Sequence, residues 1–209
     1  MIVGNDVVDL DDPEARGAAR RDRFVRRILR PAERRAVEAS SDPDAALWAR
    51  FAAKEAAYKA AVRLHGGAPS APAAYEVAED LAWVRLHALR LHLVVETPAP
   101  RASGRPAFVH AVAFSGDWDD RPRFAAGPHR GDPGADARSL LAESAAASLG
   151  CDPSRLRIVR DPIAGSWDGF GPPRLHLDGL PLPAPVSLSH HGRFVAYAHG
   201  AVAQRRRHV

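Results

Sequence analysis

One order of segments occurs twice in this chain, and that repetition constrains the fold more than any other feature. A stretch from Asp44 to about Leu64 is rich in alanine and free of Gly and Pro until Gly66-Gly67, which predicts a long helix. Strand-like segments follow at Leu81–Leu86, Leu89–Val95 and Ala107–Phe114. After residues 116–135, dense in Gly, Pro and Asp, the order restarts. A helix is expected at Asp136–Leu149, a strand at Leu156–Val159, a Gly/Pro loop at 161–173, and strands near 175–177, 186–188 and 193–199. Laying ARFAAKEAAYKAA (49–61) over ARSLLAESAAASL (137–149) pairs Arg50 with Arg138 and Glu55 with Glu143. Gly104-Arg105-Pro106 and Gly171-Pro172-Pro173, each leading into strands that end AVAF or VAYA, extend the likeness. The expectation is an α+β fold of two similar halves, 1–120 and 136–209, joined by a linker at 121–135.

Residues 1–10 read as a short buried strand of Ile2, Val3, Val7, Val8 and Leu10, interrupted by Gly4, Asn5 and Asp6, which would set a carboxylate on a tight bend. Residues 13–39 read as one or two amphipathic helices, with Phe24, Ile28 and Leu29 on one face, arginines on the other, and Pro31 opening a second segment. A length of 209 with 46% hydrophobic residues suits one sizeable domain or two small ones. No run approaches the roughly 18 apolar residues of a membrane helix. The start, MIVGNDVVDLDD, lacks the basic region and apolar core of a secretion signal. A cytoplasmic protein with no membrane partner is therefore expected. The lone Cys151 cannot form an internal disulfide and is a poor zinc nucleus, so it reads as a small packed side chain.

The net charge is only +4, but lysine occurs only at positions 54 and 59 among 29 basic residues. Arginines cluster between Arg16 and Arg35 and at Arg205–Arg207, a pattern that favours a polyanion or an acidic protein and that a solvated helix face shares. Glu55 and Lys59 stand at i and i+4, a pair that stabilises a helix by roughly 0.2–0.5 kcal/mol. Arginine would serve that purpose equally well. A compact ammonium, rather than a flat fork, is what a phosphate oxygen or a proton-transfer site requires, so Lys54 and Lys59 are both candidate functional residues.

Two other clusters could carry chemistry. Asp6 and Asp9 in GNDVVD offer hard oxygen ligands that suit Mg²⁺, although side chains three apart on a strand cannot both face one site, and an Asp that closes a turn competes with this reading. Ser187-Leu188-Ser189-His190-His191-Gly192-Arg193 marks a strand breaking into a turn, where Ser, His and Arg together can grip a phosphate. A Ser-His nucleophilic pair is disfavoured, because adjacent strand residues diverge and no G-x-S-x-G elbow is present.

Taken together, GNDVVDL, RFAAKEAAYKA and SLSHHGRFVAYA resemble the G-x-D strand, K-E-x-x-x-K helix and S-x-S-H-x-G turn of the 4'-phosphopantetheinyl transferases. That family moves the phosphopantetheine arm of coenzyme A onto a serine of a carrier protein. It has a short type that trimerises and a double-length type whose two similar halves form a pseudo-dimer around one site. The motif order here is that of the short type, whereas the length and the internal restart resemble the double-length type. The inference is a pseudo-dimer whose halves are exchanged in order; a short-type domain with a large insertion is the alternative.

The resemblance implies that Asp6 and Glu55 bind Mg²⁺, with Asp9 ligating directly or through water. It also implies that Lys59 contacts the coenzyme A pyrophosphate and that Lys54 lies on the phosphate side. Ser189, His190 and Arg138 would hold coenzyme A. Catalysis would fall to Asp6, Glu55 and Lys59, with Glu55 or a metal-held water as base. The chain departs from the double-length pattern at Val8, where that type has an acid, and at Gly171-Pro172-Pro173, where it has G-K-P, so that Arg174 is left to supply the cation. The lysine-bearing helix of that type is replaced by 116–135, where Arg123 or Arg130 could add charge. A carrier protein and coenzyme A are the expected partners, the arginine-rich segment 20–35 with Phe24, Ile28 and Leu29 meeting an acidic carrier helix. One chain supplying both sides of the site predicts a monomer. A non-catalytic coenzyme A binder is the alternative function. Nucleic acid is not expected as a partner, since a nucleic-acid module has no use for Asp6 or for lysines flanking Glu55.

Overall fold

The computed structural model describes residues 1–64, 67–98, 107–163 and 169–202. β1 (Val3–Asp9) leads through a short 3₁₀ turn into α1 (Asp22–Ile28), α2 (Pro31–Glu38) and the long α3 (Pro43–Ala61). Then come β2 (Glu76–Val77), β3 (Trp83–Leu86), β4 (Leu89–Glu96) and β5 (Phe108–Phe114). The second half comprises β6 (Arg123–Pro128), α4 (Pro133–Leu149), β7 (Leu156–Val159), β8 (Arg174–Leu177), β9 (Leu180–His191) and β10 (Phe194–His199). The architecture is mixed helix and sheet. Two antiparallel five-stranded sheets run β1-β5-β4-β3-β2 and β6-β10-β9-β8-β7, so each half repeats the same strand order around its own long helix. No helix among the described residues is long and apolar enough to cross a membrane.

α3 starts at an Asp42-Pro43 step, where the Asp42 side chain accepts the Ala45 N–H, and α4 starts at Asp132-Pro133, where Asp132 accepts the Ala135 N–H. Matching the helices by these caps moves Glu143 off the Glu55 position, and Glu143 is exposed on α4. The pairing of Glu55 with Glu143 in the sequence is therefore not the register of the two helices. The G-P-P loop at 171–173 leads into β8, the middle of its half, and not into a last strand like β5; Gly104-Arg105-Pro106 lies outside the described residues.

Two other expectations change. Residues 1–10 contain no bend: β1 is continuous and pairs with β5 from Val3↔Phe114 to Asp9↔Phe108. Gly4 serves close approach instead, since a Cβ there would lie 2.0 Å from Ala56 O and 2.7 Å from Ala60 N of α3. The stretch read as a linker contains β6, paired with β10 from Phe194↔Pro128 to His199↔Arg123. The 121–135 segment is thus a structural part of the second sheet.

The large core lies between α1–α3 and one face of the first sheet, where Val8, Leu91, Leu93, Val109, Ala111 and Ala113 meet Ala49, Ala52, Ala53, Ala56 and Ala60. Alanine on α3 lets the helix sit close to the strands. Smaller clusters join the sheets: Val3, Val112 and Phe114 meet Ala198, and Val7 meets Phe194 and Ala196. β1 therefore lies at the seam between the halves.

Candidate active site

β1 alternates its side chains, so Asp6 and Asp9 go opposite ways, as the strand period requires. Asp6 faces α3, where Lys59 Nζ stands 2.8 Å from Asp6 Oδ1 and 3.0 Å from Asn5 O. Ser189 of β9 donates its hydroxyl to the same Oδ1 at 2.8 Å and accepts the Val7 N–H at 3.2 Å. Asp6 Oδ2 receives no hydrogen bond among the described residues. Lys59 uses two of its three N–H bonds in these contacts and remains one-third exposed.

Glu55, one turn before Lys59 on α3, is half-buried and makes no hydrogen bond or ion pair among the described residues. Burial pushes its carboxyl up to about 7, the negative charge of Asp6 adds to the rise, and Lys59 opposes it. Glu55 stands beside the charge of Asp6, and each carboxyl has an oxygen that no described residue bonds, an arrangement that a cation would relieve. No group of three or more His, Cys, Asp or Glu side chains that could hold a metal occurs among the described residues. Mg²⁺ needs only one or two protein carboxylates, because water and substrate phosphate complete its shell. Asp6 and Glu55 fit that ion.

Asp9 does not join them. Its carboxylate is 3% exposed and is taken by Arg193, with Nε at 2.7 Å and Nη2 at 2.6 Å, and by the N–H groups of Arg193 at 3.1 Å and Asp11 at 3.0 Å. Burial alone would raise its pKa, but the hydrogen bonds from Arg193 outweigh burial and lower it. The carboxylate expected as a Mg²⁺ ligand is thus bonded to Arg193 in this structure.

Lys54 is also elsewhere. Its ammonium is fully buried, 2.6 Å from Glu33 Oε2 and 2.9 Å from Ile28 O, and Glu33 also accepts the N–H groups of Arg30 and Val77. Burial lowers its pKa against the opposing pull of Glu33. Neighbouring residues on a helix point about 100° apart, so Lys54 meets the core while Glu55 meets the seam. Lys54, expected on the phosphate side, is fully buried in its pair with Glu33 in this structure.

His190 is exposed on β9, and neither it nor Arg138, exposed on α4, makes a hydrogen bond or ion pair among the described residues. Arg174 at the start of β8 is exposed and pairs with Asp161 at 3.2 Å. None of the three bonds to Asp6, Glu55 or Lys59. Ile28 and Leu29, assigned to a docking face, are buried in the core; Phe24 is half-buried against Trp48, with ring centroids 5.7 Å apart.

One residue that the sequence reading passed over, Arg63, and one that it gave to phosphate, Arg193, shape the seam. Arg63 reaches from the end of α3 to Val186 O and Pro173 O in the second half, and burial, then the nearby charge of Arg174, lowers its pKa to about 10. Its place four residues after Lys59 is a helical-face signal that could have marked it. Arg193, which holds Asp9, stands in the S-x-S-H-x-G turn, but nothing local in sequence reveals its partner.

Residues 2–83 match the family model of the 4'-phosphopantetheinyl transferase superfamily, while no curated protein and no solved structure matches the chain. The match places residues 2–83 in that superfamily. It runs from β1 through α3 to the start of β3, so it contains Asp6, Glu55 and Lys59 and leaves Ser189 and the second sheet outside.

Proposed function

We propose that this chain transfers the 4'-phosphopantetheine group of coenzyme A to a serine of an apo carrier protein in a Mg²⁺-dependent reaction that releases 3',5'-ADP. The observation that carries this reading is the meeting of Asp6, Glu55 and Lys59 at the seam between the halves, on a segment of the matching superfamily. Asp6 and Glu55 would hold Mg²⁺, which when bound supplies positive charge to the pyrophosphate.

The remaining work belongs to side chains. Lys59, with one N–H to spare, points a charge at a pyrophosphate oxygen. Asp6 and Asn5 O fix that ammonium in place, and Ser189 fixes Asp6. The carrier serine Oγ attacks the β-phosphorus of coenzyme A as the bond to the bridging oxygen of 3',5'-ADP breaks. Glu55 or a water held at the site would take the hydroxyl proton. His190, Arg138 and Arg174, exposed on the second half, would hold coenzyme A phosphates, and the arginine face of α1 and α2 would meet an acidic carrier helix in the cytoplasm.

The repeated strand order supports a pseudo-dimer with exchanged halves over a short domain with an insertion, and with it a monomer in solution. The test incubates purified protein with apo carrier protein, coenzyme A and Mg²⁺. A carrier mass increase of one phosphopantetheine is expected with the natural chain and none with Glu55→Gln. No increase with carriers of the fatty-acid, polyketide and peptide classes would refute the proposal.

A further inference from the structure

The backbone N–H groups of Asn5, Val7 and Asp9 lie along the edge of β1 that faces away from β5. An open strand edge would leave them without partners. Each is met by a side chain of β9: Asn5 N–H by Ser187 Oγ at 3.0 Å, Val7 N–H by Ser189 Oγ at 3.2 Å, and Asp9 N–H by His191 Nδ1 at 3.2 Å. The sequence separation is 182 in all three pairs, so β9 runs beside β1 in fixed register, with side chains in place of backbone carbonyls. The alternation of Ser187, Ser189 and His191 is thus what an edge two residues apart demands.

That ladder fixes its own register only in part. Ser187 and Ser189 are chemically the same acceptor, and a slip that set Ser187 opposite Val7 and Ser189 opposite Asp9 would keep hydroxyls on two of the three N–H groups, leaving Pro185 opposite Asn5 and removing Ser189 from Asp6. The contact that does not repeat is at the end. Asp9 takes both Nε and Nη2 of Arg193 together with the Arg193 N–H, and Arg193 Nη2 also reaches Asp11 Oδ2 at 2.7 Å. Gly192, at φ +52°, folds the turn so tightly over Asp9 that a Cβ would lie 2.6 Å from Asp9 Oδ2.

We infer that Asp9 and Arg193 form a latch that sets the register between the two halves and so delivers Ser189 to Asp6, a positioning pair rather than a metal ligand and a substrate contact. Its consequence for catalysis rests on the transferase reading; the latch itself does not.

Amide hydrogen exchange tests the latch without substrate. In Asp9→Asn and in Arg193→Gln the Val7 and Asp9 amides should exchange roughly tenfold faster or more, the scale of losing a charge-assisted bidentate contact. The Leu10 amide, which donates to Ala107 O within the first sheet, should stay protected. The double variant should be no worse than either single one. Arg193→Lys, which keeps the charge without the fork, should fall between, and it serves as the readout if the other variants do not fold. If the transferase reading holds, both single variants raise KM for coenzyme A several-fold with the Mg²⁺ requirement unchanged. Unchanged exchange in Arg193→Gln and Arg193→Lys overturns the latch, as does an Asp9→Asn defect that extra Mg²⁺ restores.

Discussion

The two sheets share one strand order, yet their first strands lead different lives. β1 is buried along its whole length except for half-buried Asp6, while β6 has only exposed and half-buried residues. α3 covers β1 so closely that only glycine fits at position 4, whereas a Cβ at Gly127 in β6 would meet nothing within 4 Å. α4 buries one side only, chiefly Ala137, Leu141, Ala142, Ala145 and Ala146, and its Ser144 bonds His199 at 2.9 Å where α3 carries ionisable groups toward a strand. Topology alone therefore does not make a site. The first half holds the carboxylates of Asp6 and Glu55 on a tightly packed frame, and the second contributes the hydroxyl of Ser189. The sharpest break of this comparison is by activity. Glu55→Gln or Asp6→Asn should lower carrier modification by roughly a hundredfold or more, the scale of losing a charged group that acts on the transition state. Glu143→Gln, on the exposed face of α4, should leave the same rate within about twofold, since surface changes are generally near neutral. Equal losses at both positions would make the halves functionally equivalent.

Much of this frame was legible in the sequence. The span of α3 followed from an alanine run between Asp-Pro and Gly-Gly, and β7 from its apolar residues after a turn. β6 was not, because Arg-Phe-Ala-Ala-Gly-Pro has no β-branched residue and carries both strand breakers; its pairing with β10 overrides local preference. Asp6, Glu55 and Lys59 could be grouped because helical spacing and motif order both point to them. The partners that Asp9 and Lys54 take, Arg193 and Glu33, are separated from them by 184 and 21 residues and leave no local mark. The scarcity of lysine singles out both ammoniums alike, and the structure gives them different partners: Lys54 a buried pair with Glu33, Lys59 the carboxylate of Asp6.

That buried pair gives the next largest effect. Lys54→Met leaves the Glu33 carboxylate buried without its cation, and removing one partner of a buried pair costs about 3–5 kcal/mol. Denaturant unfolding should show this loss, and Glu33→Gln in the same chain should recover part of it. If Lys54→Met unfolds like the natural chain, the first half does not depend on the network that ties α1, α2 and β2 to α3.

Glycine separates the halves on a smaller scale. Gly4→Ala forces α3 off β1 against backbone atoms, and overpacking of this kind costs about 1–3 kcal/mol or somewhat more. Gly127→Ala, in open space and without a positive φ, should change stability by about 0.5 kcal/mol or less. Thermal unfolding of the two variants side by side measures the difference in closeness of packing directly; similar shifts would mean that β6 is as tightly covered as β1.

The smallest effect concerns pH and belongs to the first half alone. Glu55 titrates near 7 in the folded chain against 4.5 for an ordinary glutamate, because burial and then Asp6 oppose its ionisation. Between those values the folded state holds a proton that the unfolded state has released, so this residue favours folding fully below about pH 4.5 and loses that contribution as pH rises through 7. The full span corresponds to at most about 3 kcal/mol, and partial solvent access makes about 1–2 kcal/mol the expected size. In metal-free buffer, unfolding free energy should therefore fall from pH 5 to pH 8 more steeply in the natural chain than in Glu55→Gln, whose amide does not titrate. Adding Mg²⁺ at pH 8 should restore stability to the natural chain and not to the variant, because a cation beside Asp6 and Glu55 offsets the burial of the Glu55 charge and its repulsion by Asp6. Equal pH slopes in the two proteins would mean that the carboxylate pair is not strained, and the reason for placing a cation there would disappear with it.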